Sequence, residues 1–362
     1  MRTCLSLVAV MAFWGSAFAS SKLAVHAVPH EVAAFLRFGM GAAILLVVHA
    51  ALGRDRPTAR DAGVAAGLGL LGVLGYNVLF FLALTMAPAA DGSVIVPVSA
   101  PVITVAVTAL LGRVLPGACD RISGAGRRRA RLVALVGTFS AQLPGHRKLT
   151  RRAALGLAAA LAGATVFLLA IPAGGTHRLA GDLLFLGSAA CWAGYTMLGA
   201  PVLERVPAFT VTTFASAAGA LALGILAVPA FDDVAWSELD TGFWLNQAYL
   251  AALPTALAYV LYYWAVRRVG PATASSAMFL VPVFGLTCAW LLLGESITPV
   301  QAVGAALMLG GAWLATVAAR RTRPILIVWQ RLRSMNRSSV AATASEPSAP
   351  CPSSVPSPPS DR

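Results

Sequence analysis

The sequence predicts an all-α integral membrane protein, with ten transmembrane helices in two inverted five-helix repeats. Three observations carry that prediction: a charge-poor composition, apolar runs of membrane length, and motifs that recur in the same order in both halves. Hydrophobic residues make up 58% of the 362 and charged residues 11%, with a mean hydropathy of +0.77. Soluble domains carry roughly 25% charged residues because their surfaces face water, so this chain has too little polar surface to cover a core of its size. Its apolar runs include Leu5 to Phe18, Ala62 to Ala90, Ala153 to Ala173, Gly242 to Val266 and Pro271 to Gly294. About 20 residues at 1.5 Å rise match a hydrocarbon layer of about 30 Å. In lipid such a run must satisfy its own backbone, which a helix does. The sequence lacks the short alternating strands of a membrane barrel.

Charged and turn residues set the elements in order. The first span, 4–25, follows Arg2 and ends before the Val28-Pro29-His30 turn. The second, 31–52, is followed by Arg54, Arg56 and Arg60, and the third (62–86) and fourth (89–111) meet around Pro88. A long connection, 112–151, leads to the fifth, 152–172. The sixth, 181–203, and seventh, 207–230, flank Arg205, and an acidic connection, 231–244, precedes the eighth, 245–266. Arg267-Arg268-Val269-Gly270-Pro271 turns the chain into the ninth, 271–293, and the tenth occupies 298–319.

Basic residues test this count, since Lys and Arg concentrate on the cytoplasmic side. With the N-terminus inside, 24 of the 27 fall on that side, only Arg178 falls on the other, and Lys22 and Arg37 lie within spans. The alternation predicts a multi-pass protein of the cell inner (cytoplasmic) membrane with both termini cytoplasmic. A competing reading takes Arg2, the apolar run and Ala17-Phe18-Ala19-Ser20 as a signal peptide with its cleavage site. That would leave nine spans and put the basic connection outside.

The halves echo each other. Trp14 in span one corresponds to Trp192 in span six, and Phe80-Phe81-Leu82-Ala83 in span three to Tyr262-Tyr263-Trp264-Ala265 in span eight. Pro88-Ala89-Ala90 opens span four as Pro271-Ala272-Thr273 opens span nine, and Leu110-Leu111-Gly112 closes the one as Leu292-Leu293-Gly294 closes the other. Gly156 and Gly163 in span five match Gly304 and Gly310-Gly311 in span ten. Five helices is an odd number, so the second set is inverted relative to the first, the arrangement from which alternating access arises.

The same residues carry a family likeness: Phe13-Trp14-Gly15-Ser16, Lys22, Leu36-Arg37-Phe38, Tyr76 through Ala83, Pro88-Ala89-Ala90 and Pro101. In the second half they are Gly181-Asp182-Leu183-Leu184, Ala190-Cys191-Trp192, Tyr195 and the stretch from Tyr259 through Glu295. In order and spacing, from residue 9 to residue 319, they resemble the EamA-type branch of the drug/metabolite transporter superfamily. The resemblance implies a secondary carrier, an exporter or permease, moving an amino acid, another metabolite or a drug-like amphipathic solute. It divides the chain into a first repeat over 1–112 and 149–172, interrupted by a basic cytoplasmic insertion at 113–148. A second repeat follows over 181–319, then a tail at 320–362 that is basic before it turns Ser/Pro-rich and disordered. Gly112 and Gly156 stand 34 residues further apart than Gly294 and Gly304, and Arg113 occupies the position of Glu295. The insertion is read three ways: as a loop on anionic lipid headgroups, as a neutral disordered segment, or as an impairment that leaves a non-transporting scaffold.

Charged and aromatic residues within the spans are the candidate site. Arg37, a costly charge in lipid, either attracts a solute carboxylate or, as a structural residue, satisfies backbone carbonyls or snorkels toward the interface. Lys22 is expected to snorkel to the interface. Asp91 is expected to cap span four, with proton coupling as the alternative, and Glu295 is read as capping or coupling. Trp14, Tyr76, Asn77, Trp192, Tyr195, Tyr259 and Tyr263 are candidates to line a solute cavity, against the alternative of core packing. Pro97, Pro101, Pro254 and Pro282 are positioned to break helices and free carbonyls. Gly63, Gly67, Gly304, Gly310 and Gly311 are expected to allow close helix packing. His26, His30 and His49 lie at span ends.

The excluded classes follow from what the sequence lacks. The net charge of +13 sits in loops and tail rather than on one folded face, which argues against nucleic acid. Five scattered cysteines offer no metal-ligand spacing, so no metal or other cofactor is expected. No GxxxxGK[ST] occurs, so the energy would come from a gradient. The spans hold too few His, Asp, Glu or Cys for a membrane-embedded enzyme, and no catalytic residue is assigned. The expected partner is a small solute, with a homodimer left open.

Overall fold

The computed structural model describes residues 2–52, 57–122, 151–169, 175–203, 205–269, 277–295 and 297–320. The predicted insertion beyond Ile122, the tail beyond Arg320 and the opening of span nine lie outside them. Among the described residues there is no strand, and those up to Ala318 form one compact unit. In order the helices are α1 (Arg2–Ala27), α2 (His30–Ala51), α3 (Ala59–Met86), α4 (Ala89–Ile122) and α5 (Arg151–Leu169). They continue with α6 (Gly175–Leu203), α7 (Ala208–Ala227), α8 (residues 241–269), α9 (Met278–Leu293) and α10 (Pro299–Arg320).

Among the described residues, five stretches are both long and apolar enough to cross a membrane: Leu5–Ala27, His30–Ala51, Ala59–Met86, Ala208–Ala230 and Thr241–Ala265. Their outward faces are apolar as well. Val47, Leu221, Ile225 and Trp290 are each at least 65% exposed, a surface that water would not tolerate over so wide an area. The molecule is therefore a multi-pass membrane protein.

Local sequence explains the ends. Thr58 starts α3 by accepting the Asp61 amide at 3.2 Å, and Asp240 starts α8 four residues before the predicted position by accepting the Phe243 amide at 2.8 Å. Thr298 and Gln301 form a reciprocal capping box at α10: the Gln301 amide donates to Thr298 Oγ1 at 3.2 Å, and the Thr298 amide to Gln301 Oε1 at 3.1 Å. Gly294 ends α9 at φ 65°, the left-handed region that glycine enters without strain. Two helices run furthest past a predicted end. α4 runs to Ile122, into the predicted insertion, and α6 begins at Gly175, which puts Arg178 in its first turn.

The glycines divide. At Gly163, Gly304 and Gly311 a β-carbon would stand 2.3–2.7 Å from backbone nitrogen of the facing helix, so α5 and α10 meet backbone to backbone. Gly63, Gly67 and Gly310 face open space and serve no such packing, contrary to the sequence expectation. Phe38, Phe80, Phe81, Phe167 and Phe185 fill the interior around these contacts.

Candidate functional site

Among the described residues two helices are interrupted by π segments, and the interruptions build the site. α3 consists of Ala59–Gly69, a π-helical segment Leu70–Gly75, and Tyr76–Met86. α8 consists of Thr241–Leu250, a π-helical segment Ala251–Leu257 containing Pro254, and Ala258–Val269. Each segment ends five residues before an aromatic pair, at Gly75 before Phe80-Phe81 and at Leu257 before Tyr262-Tyr263. A π segment leaves carbonyls without their usual donors, and such segments recur at functional positions.

In α8 side chains take up those carbonyls. Pro254 has no N–H for the Leu250 carbonyl; instead Thr255 Oγ1 donates to it at 2.8 Å. The same hydroxyl accepts from Arg37 Nε at 3.1 Å, and Arg37 Nη1 donates to Ser21 Oγ at 3.0 Å. Trp14 Nε1 donates to the Pro254 carbonyl at 3.0 Å. The predicted helix break at Pro254 thus exists, and its polar groups are held by residues of α1 and α2.

Around these groups lies a cavity of about 50 Å³, walled by Trp14, Ala17 and Phe18 of α1, Arg37 of α2, and Tyr76 and Phe80 of α3. The rest of the wall is Val96 and Pro97 of α4, Trp192 of α6, Tyr259 of α8, and Met278 and Val281 of α9. One water fills roughly 10–15 Å³ on this measure, so the space admits a few waters and, in this conformation, no larger solute. Trp14 and Trp192 meet edge to face at 5.6 Å between centroids, and both contact Tyr259 at 5.8 Å. Tyr76 packs on Trp192 at 5.7 Å.

Of the eight residues predicted to line a cavity, Trp14, Arg37, Tyr76, Trp192 and Tyr259 do so. The other three do not. Tyr195 and Tyr263 form a second layer, 6.4 Å apart, with Tyr195 behind Trp192. Asn77 is fully buried and donates to the Val73 carbonyl of its own helix at 2.6 Å. Sequence reading missed Phe18, Val96, Met278 and Val281, ordinary apolar residues that nothing distinguishes from neighbours along the same helices. Arg37 is 6% exposed, and no acidic side chain among the described residues forms an ion pair with it.

A second polar group surrounds the α3–α4 junction. Lys22 Nζ donates to the carbonyls of Leu84 and of Ala87, the latter at 3.0 Å, and so closes α3 rather than snorkelling. Glu295, turned back by Gly294, accepts the Ala89 and Ala90 amides at 3.0 and 2.8 Å. The carboxylate that caps α4 is therefore Glu295 of α9 and not Asp91. Asp91 instead takes both arms of the Arg178 guanidinium, at 2.7 and 2.8 Å. Asp182, one turn beyond Arg178, is fully buried, lies close to Asp91, and has no hydrogen-bond donor on either oxygen. His49, at the other end of α2, is buried between Phe209 and Phe214.

A family model described as "EamA-like transporter family" matches residues 1–117 and 179–317. The chain belongs to that family. This EamA-like transporter is 24% identical over 312 residues to the uncharacterized transporter YyaM of Bacillus subtilis, covering 84% of this chain and 90% of that one. It is 26% identical to a probable terminal-alkyne amino-acid exporter of Streptantibioticus cattleyicolor, over 85% of this chain and 91% of the relative. The threonine/homoserine exporter RhtA of Salmonella typhimurium is 32% identical across 40% of this chain and 47% of its own. A solved crystal structure shares the fold, with a TM-score of 0.56 at 23% identity over 89% of this chain and 99% of the other. The protein is thus a membrane transporter, and its partner is a small solute.

Proposed function

We propose that the protein exports a small amphipathic solute with a carboxylate, of the amino-acid class, across the cytoplasmic membrane by alternating access. The observation that carries this reading is Arg37, a buried cation in the wall of an aromatic cavity. Its guanidinium is steadied by the hydroxyls of Thr255 and Ser21 and has no acidic partner among the described residues. A charge held in so apolar a place calls for an anionic group of the solute. Trp14, Trp192, Tyr76 and Tyr259 supply the apolar walls that such a solute needs. The relatives named as amino-acid exporters agree with this class.

Alternating access is inferred from the paired features of the halves. The π segments stand at matching register in α3 and α8, Trp14 meets Trp192, and α5 meets α10 through the glycines that the two halves share. We read these as ten spans in two inverted repeats, with both termini cytoplasmic on the charge bias. A 50 Å³ cavity then belongs to a closed state that must widen to take up a solute.

The test is flux from proteoliposomes loaded with a panel of labelled amino acids, together with amines of similar size that lack the carboxylate. Amino-acid efflux is expected in the wild type and a fall of at least about tenfold in Arg37→Ala, since a charge-assisted bond of about 1.5–3 kcal/mol is removed. Equal transport of amines and amino acids, or an unchanged rate in Arg37→Ala, would overturn the assignment of a carboxylate.

A further inference from the structure

We propose that Asp182, together with Asp91, forms a proton-binding site whose occupancy controls the Arg178–Asp91 ion pair and so couples solute movement to a proton gradient; this deepens the transporter reading above and rests on it. Asp182 has no accessible surface, and no donor reaches either of its oxygens. It borders a separate cavity of about 20 Å³, whose other walls are Ile95 and Ser99 of α4, Ala164 of α5, Leu186 of α6 and Met308 of α10. That volume holds a single water.

The charges around Asp182 do not balance. From α4 it faces Asp91, and from its own helix Arg178, while α5 and α10 offer only Ala164 and Met308. Arg178 directs Nε and Nη2 at Asp91 and makes no hydrogen bond to Asp182. Further out, Lys22 and Glu295 are one positive and one negative charge, each held on backbone groups. Two buried carboxylates therefore share one guanidinium, and one proton between them removes the excess charge. A metal cation would require several oxygen ligands, and the small cavity supplies only Asp182 and Ser99.

The position gives the proton something to do. Asp91 joins the start of α4 to the start of α6, while Glu295 and Lys22 tie the α3–α4 junction to α9 and α1. With the proton on Asp182, Asp91 stays charged and holds Arg178. When the proton passes to Asp91, the ion pair loses its anion, Arg178 is freed to turn to the Asp182 carboxylate, and the junction loosens. The Asp182 cavity and the Arg37 cavity have no wall residue in common, so proton and solute occupy different sites.

Infrared titration of the full chain in liposomes tests the site without any knowledge of the solute. A protonated carboxylic acid shows a carbonyl stretch that a carboxylate lacks. This band is expected in the wild type, in Asp182→Glu and in the control Glu31→Gln, which alters a carboxylate beside His30 in the first turn of α2, and it is expected to vanish in Asp182→Asn. A band that survives unchanged in Asp182→Asn would overturn the proposal. Flux of the amino-acid panel adds a second arm. With one proton per solute, one pH unit supports about a tenfold solute ratio in the wild type, because one unit is 1.36 kcal/mol. Asp182→Asn is expected to keep counterflow but lose this gradient-driven ratio. A ratio that follows sodium, or one that persists in Asp182→Asn, would also overturn it. If no solute moves at all, the transporter reading is what fails, and the infrared result still decides whether Asp182 binds the proton.

Discussion

In α3 the π segment Leu70–Gly75 contains only Leu, Val and Gly, and the Val73 carbonyl is taken by Asn77 of the same helix. In α8 the matching segment holds Pro254 and Thr255, and its carbonyls are met from elsewhere: Trp14 of α1 reaches Pro254, while Arg37 of α2 reaches the hydroxyl that serves Leu250. One interruption is closed within its own helix, and the other is closed by the residues that wall the cavity. A carbonyl satisfied locally is indifferent to how helices move. One satisfied by a neighbouring helix registers that helix's position. If Arg37 receives the solute as proposed, the second half carries the solute-sensitive element, while the first half carries an interruption with private hydrogen bonding.

The largest way to break this contrast is Thr255→Val. It removes the donor to the Leu250 carbonyl and the acceptor of Arg37 Nε together. One buried cationic donor, Arg37 Nε, is left without a partner at about 1–3 kcal/mol, and the Leu250 carbonyl keeps only the backbone donor of the π segment, although bonds between membrane helices run nearer the low end. Detergent-solubilised Thr255→Val is expected to lose roughly 2–3 kcal/mol of stability and to release amino acids more slowly from proteoliposomes. Full stability would show that the Arg37–Thr255–Leu250 chain is incidental.

A smaller effect is expected of Trp14→Phe, which keeps an aromatic wall but removes the Nε1–H on the Pro254 carbonyl. The loss is about 1–2 kcal/mol for one unmet acceptor. Because the ring also faces Trp192 and Tyr259, apparent solute affinity should weaken as well. Concentration-dependent efflux, read beside thermal unfolding, separates the two effects. A variant that changes stability and leaves affinity alone would assign Trp14 to packing only.

How far these features could be read in advance depends on whether the signal is local. Trp14, Trp192 and Arg37 stand out because a charge, or an aromatic with a counterpart in the other half, is conspicuous in an apolar run. Pro254 announces its break because it lacks an N–H. Helix facing was harder to read. Helices apolar all round show no polar stripe to mark the inward side, so Tyr195, Tyr263 and Asn77 looked as suitable as Tyr76 and Tyr259. The roles of Lys22, Asp91 and Glu295 are set by chain segments far away in sequence: Glu295 caps Ala89 across 206 positions, and Arg178 reaches Asp91 across 87. Neighbouring residues hold no trace of such pairings. Asp182 was visible only as part of a motif, since its isolation depends on Arg178 being occupied elsewhere.

Asn77→Leu sharpens the contrast at its weakest point. Asn77 is as deeply buried as any residue of the site and carries one orphan of its own, since Oδ1 has no hydrogen-bond partner. Leucine removes the Asn77 donor to the Val73 carbonyl, which keeps the Tyr76 amide, and also removes that unmet oxygen; it matches the branching of the amide but is larger. One hydrogen bond is lost while an unmet acceptor is removed, effects of opposite sign, and the larger side chain adds some packing strain, so the expected change is a loss of about 1 kcal/mol of stability. Efflux should keep its rate and its preference for carboxylates, because Asn77 borders no cavity. A large loss of transport at unchanged stability would mean that the α3 interruption also registers the solute. The two π segments would then be a working pair rather than one sensor and one private interruption.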